Sequence, residues 1–499
     1  MSYKVDLSAL ERGGEVSLTQ QMVDRFAAAI EEGTLEASEK LPPTRELAAQ
    51  VGVNHLTAAR VYRRLAELGY VTASVGRGTF VRALTPAGSA EHGDDWQVYT
   101  LPHREPNYPE QVLSEAFASV GRPGLISLSI GWPSPSLYPT EELARLSAEV
   151  FAEEGGEALS YLPAEGLWQL REQLAARGRV AGWCEEPDEV VVTSGAKQAL
   201  SLTARATLEP GDVAVVESPT FVGLLDSLRQ TGARVIGVPV DEDGLDVAAL
   251  ERLLARHEVK LVGLQTACQN PTGRNLSDER RRRLAELAVE RNFFVLEDRV
   301  YADARFEGEP VRPLRELAPG HVIYVNSLSK VVGGGLRAGW IAARGPVRER
   351  LAFLKLEDDF HTPTLIQHIA ARWLAAGAHD HHIQQTLPFY LERRDALLAA
   401  LGRHLAGEYH VDPPKGGHHV WVTLRRPLDE RALYSEAVRH GVSFTPGGAI
   451  TAERRSQTSF RLSFSLVEPA ELDEGVRRLA RATREVRRRA RGAVAAPMS

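Results

Sequence analysis

Apolar residues recur at two different periods along this chain of 499 residues. Up to about residue 82 the spacing is helical. Ser17 and Gln20 form a capping-box pattern, after which Met22, Phe26, Ala29 and Ile30 fall on one face of a helix that Gly33 stops. Beyond Pro42 and Pro43, Thr44 is placed to cap a second helix through Val51, Gly52 makes a tight turn, and Asn54 opens a third helix to about Leu68. Leu47, Ala48 and Val51 are expected to pack against Ala58, Val61, Leu65 and Leu68. A hairpin follows, with Tyr70 to Ala73 going out, a turn at Gly76-Arg77-Gly78, and Thr79-Phe80-Val81 coming back. Over residues 83–113 the period is lost among Pro86, Gly88, Gly93, Pro102, Pro106 and Pro109, which predicts an irregular connector.

From residue 114 to 499 the pattern changes to short, continuous apolar runs separated by helical stretches. These are Glu189-Val-Val-Val-Thr, Val213-Ala-Val-Val, Val235-Ile-Gly-Val, Leu261-Val-Gly-Leu, Phe293-Phe-Val-Leu, Val322-Ile-Tyr-Val and Gly339-Trp-Ile-Ala. Strands without alternation are buried on both faces, so the body is expected to be α/β with a mostly parallel central sheet. Ligands of such sheets bind at strand ends.

Composition narrows the setting. A hydrophobic fraction of 43% with 25% charged residues is that of a globular chain, and a net charge of −7 confines any nucleic-acid contact to a local basic patch. Cys184 and Cys268 are the two cysteines, without metal-type spacing, so no metal site is expected. The start of the chain has no apolar signal core and no later run is long enough to span a bilayer, from which a soluble, cytoplasmic protein without membrane contact is expected.

The polar residues at the ends of the runs suit one kind of cofactor. An aldehyde needs an amine, and Lys330 directly follows a strand where it can be desolvated. A protonated pyridine nitrogen needs a carboxylate, which Asp298 supplies. A phenolic oxygen is served by the neutral donors Asn270 and Tyr301. A phosphate dianion is served by the helix start at Ser194-Gly195-Ala196-Lys197, by Ser327 and Ser329, and by Arg337, while Phe221 can cover a ring face. Pyridoxal phosphate has all four parts. Cys268 lies beside this set and reads as a small buried residue. Arg280 to Arg283 read as a solvated helix face, and the arginines from Arg477 to Arg491 as an exposed terminal helix.

Two resemblances follow from these motifs. Leu41-Pro-Pro-Thr-Arg-Glu-Leu-Ala, Gly52-Val-Asn, Tyr62-Arg-Arg-Leu and Gly76-Arg-Gly-Thr-Phe-Val resemble the winged helix-turn-helix of the GntR family, which implies a DNA-binding domain over residues 1–82 with Arg45, His55, Thr57 and Arg77 at double-stranded DNA. His55-Leu56-Thr57 stands where that family often has Arg-Thr-Thr. The body, from Ile130-Gly-Trp-Pro to Phe460-Arg-Leu-Ser-Phe-Ser, resembles the fold type I, class I aminotransferases. That likeness implies a smaller α+β C-terminal domain, an internal aldimine at Lys330, and Asp298 at the ring nitrogen. It further implies Asn270 and Tyr301 at the phenolic oxygen, and Gly195, Ala196, Lys197, Ser327 and Arg337 at the phosphate. Arg461 with the backbone of Gly131 would take a ligand carboxylate, and Tyr161 would reach the neighbouring subunit's phosphate in a homodimer.

Head and body together resemble the MocR family of bacterial regulators. The resemblance implies a pyridoxal-phosphate-dependent regulator that senses an amino acid, an amine or the cofactor itself and acts on an operator. An active aminotransferase with a DNA-binding appendage, and a cofactor-free scaffold, are the competing readings.

Overall fold

Ser17 Oγ accepts a hydrogen bond from Gln20 N at 3.2 Å, and the helix Leu18–Glu31 starts there. The Gln20 side chain does not complete the box; its amide donates to Asp24 at 2.7 Å instead. The computed structural model describes residues 16–36, 39–74, 78–82, 108–453 and 457–495, with positions 5, 7, 10 and 11. It divides into two compact units, Met1–Glu105 and Pro106–Ser499.

In the first unit the helices Leu18–Glu31, Thr44–Val51 and His55–Glu67 enclose a core of Met22, Phe26, Leu47, Ala58, Val61 and Leu65. Thr44 is not the cap expected of it. Pro43 occupies that position in an extended conformation, and no side chain caps the helix. Asn54 does cap the third helix, accepting from Leu56 N at 2.9 Å. Gly52 closes the second helix at φ 68°, the left-handed conformation that glycine adopts without cost. Leu68 stays 47% exposed rather than joining the core, because the helix has already ended at Glu67. Strands β1 (Val71–Ser74) and β2 (Gly78–Val81) pair antiparallel with Val71 opposite Val81. Residues 39–41 line the other edge of β2, through Leu41 N to Thr79 O at 2.8 Å and Val81 N to Glu39 O at 2.9 Å.

The second unit opens with the helix Tyr108–Ser119, inside the stretch expected to be irregular up to residue 113. Pro109 sits in its first turn, where a missing N–H costs nothing, and Val112 and Ala116 bury one face. Strand β3 (Ile126–Ser127) follows. The expected apolar runs become β4 (Val190–Thr193), β5 (Val213–Ser218), β6 (Arg234–Asp241), β8 (Val259–Leu264), β9 (Phe294–Asp298), β10 (Val322–Ser327) and β11 (Gly339–Ala342), with β7 (Gly244–Leu245) folded back on β6. They form one sheet of eight strands in the order β4-β11-β10-β9-β8-β5-β6-β7. Its centre is parallel, and β11 runs antiparallel to both β10 and β4. Alternate side chains feed two cores: Val215, Val262 and Val295 enter one, while Ala214, Val216, Leu261 and Leu296 enter the other.

The last part of the chain makes a smaller α+β layer. Strands β12 (Tyr409–His410), β13 (His419–Leu424), β15 (Thr445–Pro446) and β16 (Ser459–Ser463) form an antiparallel sheet, and β14 (Val442–Ser443) pairs in parallel with β3. The helix Pro469–Ala495 is not simply exposed, since Leu472, Val476, Leu479 and Ala482 are buried in this layer's core. Its arginines are also engaged: Arg478 donates to Gly124 O and Gly441 O, and Arg489 pairs with Glu436. The Arg280 to Arg283 stretch differs from a solvated face as well. Arg281 is buried and donates to Pro313 O, and Arg280 clamps Asp241 and the carbonyls of Gly244 and Leu245. Among the described residues, no helix is long and apolar enough to cross a membrane.

Arg315 is the largest fully buried side chain, donating to Trp183 O at 2.8 Å, Pro319 O at 2.9 Å and Glu189 Oε2 at 2.6 Å. Removing one partner of such a set leaves the other charge buried. Arg315→Ala should therefore cost about 3–5 kcal/mol and lower the Tm of the second unit by roughly 5–10 °C, read by scanning calorimetry.

Candidate functional site

The C-terminal ends of β8, β9 and β10 and the middle of β16 bring the candidate residues together. Asp298 ends β9 and is 1% exposed. Its donors are neutral: Gln265 Nε2 at 2.8 Å and Val300 N at 3.2 Å. Burial pushes its carboxyl up to about 6. Arg461, on β16, is buried too, and burial lowers its guanidinium to about 10. It donates to Asn270 Oδ1 at 2.9 Å, to Thr445 Oγ1 at 3.0 Å and to Ser129 O, while its Nε has no partner. Among the described residues it has no carboxylate partner. Asn270 N donates to Gln265 Oε1 at 2.7 Å, so one hydrogen-bonded series runs Arg461, Asn270, Gln265, Asp298.

Lys330 closes the short turn Leu328–Lys330 after β10. Its Nζ donates to Gly131 O at 2.9 Å and lies 5.3 Å from the centre of the Tyr301 ring. Desolvation, reinforced by the charge of Arg461 and opposed by Asp298, brings the amine down to about 8. A neutral, nucleophilic fraction therefore exists near physiological pH. The Tyr301 hydroxyl meets His419 Nε2 at 3.0 Å, and His419 Nδ1 meets Ser463 Oγ at 2.8 Å. Burial first, then Arg461, keep His419 neutral well below its usual range, and burial brings His418 down to about 3. A neutral imidazole donates at one nitrogen and accepts at the other, so His419 fixes the direction in which the tyrosine hydroxyl points. Gly131 has no room for a Cβ, because the His419 ring occupies that position.

The residues expected at a phosphate gather around Gly195, which lies at φ 83° before the helix Ala196–Thr207. A Cβ there would lie 2.5 Å from Arg337 Nη2, and one on Gly339 would lie 2.6 Å from the Gly195 carbonyl carbon. The Arg337 guanidinium thus lies close against the start of this helix, whose first N–H groups have no acceptor within the helix. Arg337 Nη2 donates to Ser194 O at 2.6 Å. Ser327 is paired with Gly339 in the sheet, and its Oγ accepts from Ser329 N at 3.3 Å. The Lys197 ammonium points away, to Gly223 O at 2.7 Å and Ser227 Oγ at 2.8 Å, which leaves only its backbone for the cradle. Phe221 flanks the helix Val222–Arg229 and packs with Val112, Val222 and Ile450. Tyr161 stands apart, 86% exposed, in edge contact with Phe360 and His361. Cys268 is buried with its thiol pushed up to about 12, an inert packing residue.

In the first unit Arg45 and His55 are exposed and Thr57 is half-buried, while Arg77 lies outside the described residues. Arg64, one of the outer-face arginines, is held by Glu67 at 2.9 Å.

Gln265, Thr445, His418 and His419 were not among the residues expected. Gln265 follows an apolar run just as Asp298 does, so the same strand-end logic reaches it. The histidines lie in Gly416-Gly-His-His-Val-Trp, whose meaning depends on β13 pairing with β16.

The arrangement has the chemistry of an unfilled charge pattern: a buried carboxylate served by neutral donors, a buried guanidinium without an anion, and a glycine cradle at a helix start. Pyridoxal phosphate and a ligand carboxylate fit it. Residues 123–479 match the model for "aminotransferase class I and II", and residues 18–81 match "bacterial regulatory proteins, gntR family". The chain belongs to the class I and II aminotransferase family. Its family body is similar to the multiple substrate aminotransferase of Thermococcus profundus, with a TM-score of 0.72 and 33% identity over 77% of this chain and 98% of that one. Relatives matched over nearly the whole chain include the uncharacterized HTH-type transcriptional regulator YisV of Bacillus subtilis, 29% identical over 95% of this chain and 98% of its own length. The probable rhizopine catabolism regulatory protein MocR of Rhizobium meliloti is 26% identical over 94% of each. A GntR head on a class I and II aminotransferase body is thus the MocR-type organisation.

The pH behaviour of the cofactor-free protein tests the charge pattern. Asp298 keeps its proton up to about 6 in the fold against 3.8 when free, so the stability it contributes is complete below pH 4 and is lost as pH rises through 6. The loss is on the order of 3 kcal/mol. Asp298→Asn should not show it, and a Tm gap in favour of the variant should open between pH 4 and pH 6 in calorimetric scans.

Proposed function

We propose that this protein is a cytoplasmic, pyridoxal-phosphate-dependent transcriptional regulator whose body senses a small amino compound and whose head engages a DNA operator. The observation that carries the reading is the pairing, in one chain, of a GntR helix-turn-helix with a body in which the buried Asp298 and Arg461 form no ion pair among the described residues. Relatives matched over nearly their whole length, one named an HTH-type transcriptional regulator and one a probable catabolism regulatory protein, support it.

When bound, pyridoxal phosphate supplies an aldehyde that condenses with amines and a ring that draws electrons. Lys330 holds that aldehyde through Nζ, and its lowered basicity favours the neutral amine. Asp298 keeps the ring nitrogen protonated, while Asn270 and Tyr301 support the phenolic oxygen. The backbones of Gly195, Ala196 and Lys197, with Ser327, Ser329 and Arg337, hold the phosphate, and Phe221 covers the ring. Arg461 and the backbone of Gly131 would receive the carboxylate of an incoming amino acid. Two copies of the chain assemble, with the exposed Tyr161 reaching the other copy's phosphate. Arg45, His55, Thr57 and Arg77 meet DNA. A ligand shifts the regulator only by the difference between its affinities for two body conformations, so the effector must bind one of them better.

Borohydride treatment of the purified, cofactor-supplemented protein should leave a pyridoxyl adduct on Lys330 by peptide mass mapping, absent in Lys330→Ala. Footprinting upstream of the gene should then change with amino compounds in the wild type and not in that variant. Absence of an adduct, or release of a keto acid at a useful rate with no footprint, would overturn the reading. In the head, Arg45→Ala should weaken binding to all DNA sequences alike and lower the slope of log affinity against log salt by about 1, measured by fluorescence anisotropy.

A further inference from the structure

We infer that the effector is a neutral α-amino acid with a short aliphatic side chain, an assignment that rests on the function proposed above. Beside Arg461 lies a narrow cavity of about 30 Å3, walled by Val112, Ala116, Ile130, Val222, Ala449 and Ile450. Val112, Val222, Ala449 and Ile450 form one buried apolar cluster against which Phe221 and Trp421 pack. The wall is therefore continuous from the residue assigned to the cofactor ring to the residue assigned to the ligand carboxylate. A ligand held by its carboxylate at Arg461 directs its side chain along this wall.

Charge decides the class. Arg461 is the cationic residue among those lining the cavity. The helix Tyr108–Ser119, which supplies Val112 and Ala116, contains no lysine, arginine or histidine. The polar lining groups are already committed: Ser129 O accepts from Arg461 and from Thr445 Oγ1 at 3.1 Å, and Thr445 Oγ1 itself accepts from Arg461. Among the described residues a second carboxylate would be buried without a donor, and a side-chain ammonium would add repulsion from Arg461 to the same desolvation. An amine lacking a carboxylate would leave the Arg461 guanidinium buried without an anion. Size sets the upper bound, since about 30 Å3 is only two to three times the roughly 10–15 Å3 that admits a single water, room for a short alkyl chain and not for an aromatic ring.

The test is a binding panel on the full-length, cofactor-loaded protein, read by titration calorimetry and by the absorbance of the bound cofactor. The ligands are 2-aminobutyrate and norvaline, the length-matched aspartate and glutamate, phenylalanine, and butylamine. Aliphatic amino acids should bind at least about tenfold more tightly than their acidic counterparts and than butylamine, with phenylalanine also weaker. Val112→Arg should invert the preference, gaining glutamate and losing norvaline. The wild-type panel decides the question even if that variant does not fold. Glutamate or aspartate binding as tightly as norvaline overturns the assignment, as does a loaded protein that binds none of the amino acids. A protein with no cofactor absorbance and no borohydride adduct overturns instead the function on which the assignment rests.

Discussion

Two opposite charges are buried at the two ends of one hydrogen-bonded series without forming an ion pair. Arg461 and Asp298 are connected only through the amides of Asn270 and Gln265, whose dipoles bridge them without providing a counter-ion to either. A direct ion pair would be the cheaper arrangement in a low-dielectric interior. Keeping the charges separate leaves each available to a charge of opposite sign brought from outside, and the rest of the site is organised around that separation. Lys330 lies between their influences, lowered by desolvation and by Arg461, and raised by Asp298.

The sheet holds this pattern in place. Asp298, Gln265 and Lys330 all follow strand ends on the same edge, and their spacing is set by hydrogen-bonded neighbours β8, β9 and β10. Arg461 comes from the other layer, where β16 is central among four strands, so the site depends on how the C-terminal layer closes over the sheet. The pairing of β3 with β14 ties residues near 126 to residues near 442, and Leu128, just after β3, is buried in the C-terminal layer's core. Gly195, Gly339 and Gly131 mark where backbone and side chains approach too closely for a Cβ.

Much of this was legible beforehand. The apolar runs named their strands because a strand buried on both faces needs an unbroken apolar stretch, and Lys330, Asp298 and Asn270 were found by their place just after such runs. The connector was read too far, because a helix as short as Tyr108–Ser119 buries one narrow face and Pro109 in its first turn masked the spacing of Val112 and Ala116. Thr44 was read as a cap from its residue type, whereas Pro43 sets the backbone there. His418 and His419 carried no periodic signal at all; their neutrality and their hold on Tyr301 exist only once β13 lies against β16.

By itself the sequence determined the two kinds of element pattern, the division into a helical head and an α/β body, and the residue types available at each strand end, since these depend on local spacing and chemistry. The tertiary structure decided which of those residues are desolvated and which are already paired. It turned the Lys197 ammonium away from the cradle, buried Arg281 and Arg315 as structural clamps, and left Arg461 without an anion. Burial and partnership arise from contacts between segments hundreds of residues apart, such as Arg461 with Ser129, and no local pattern encodes them.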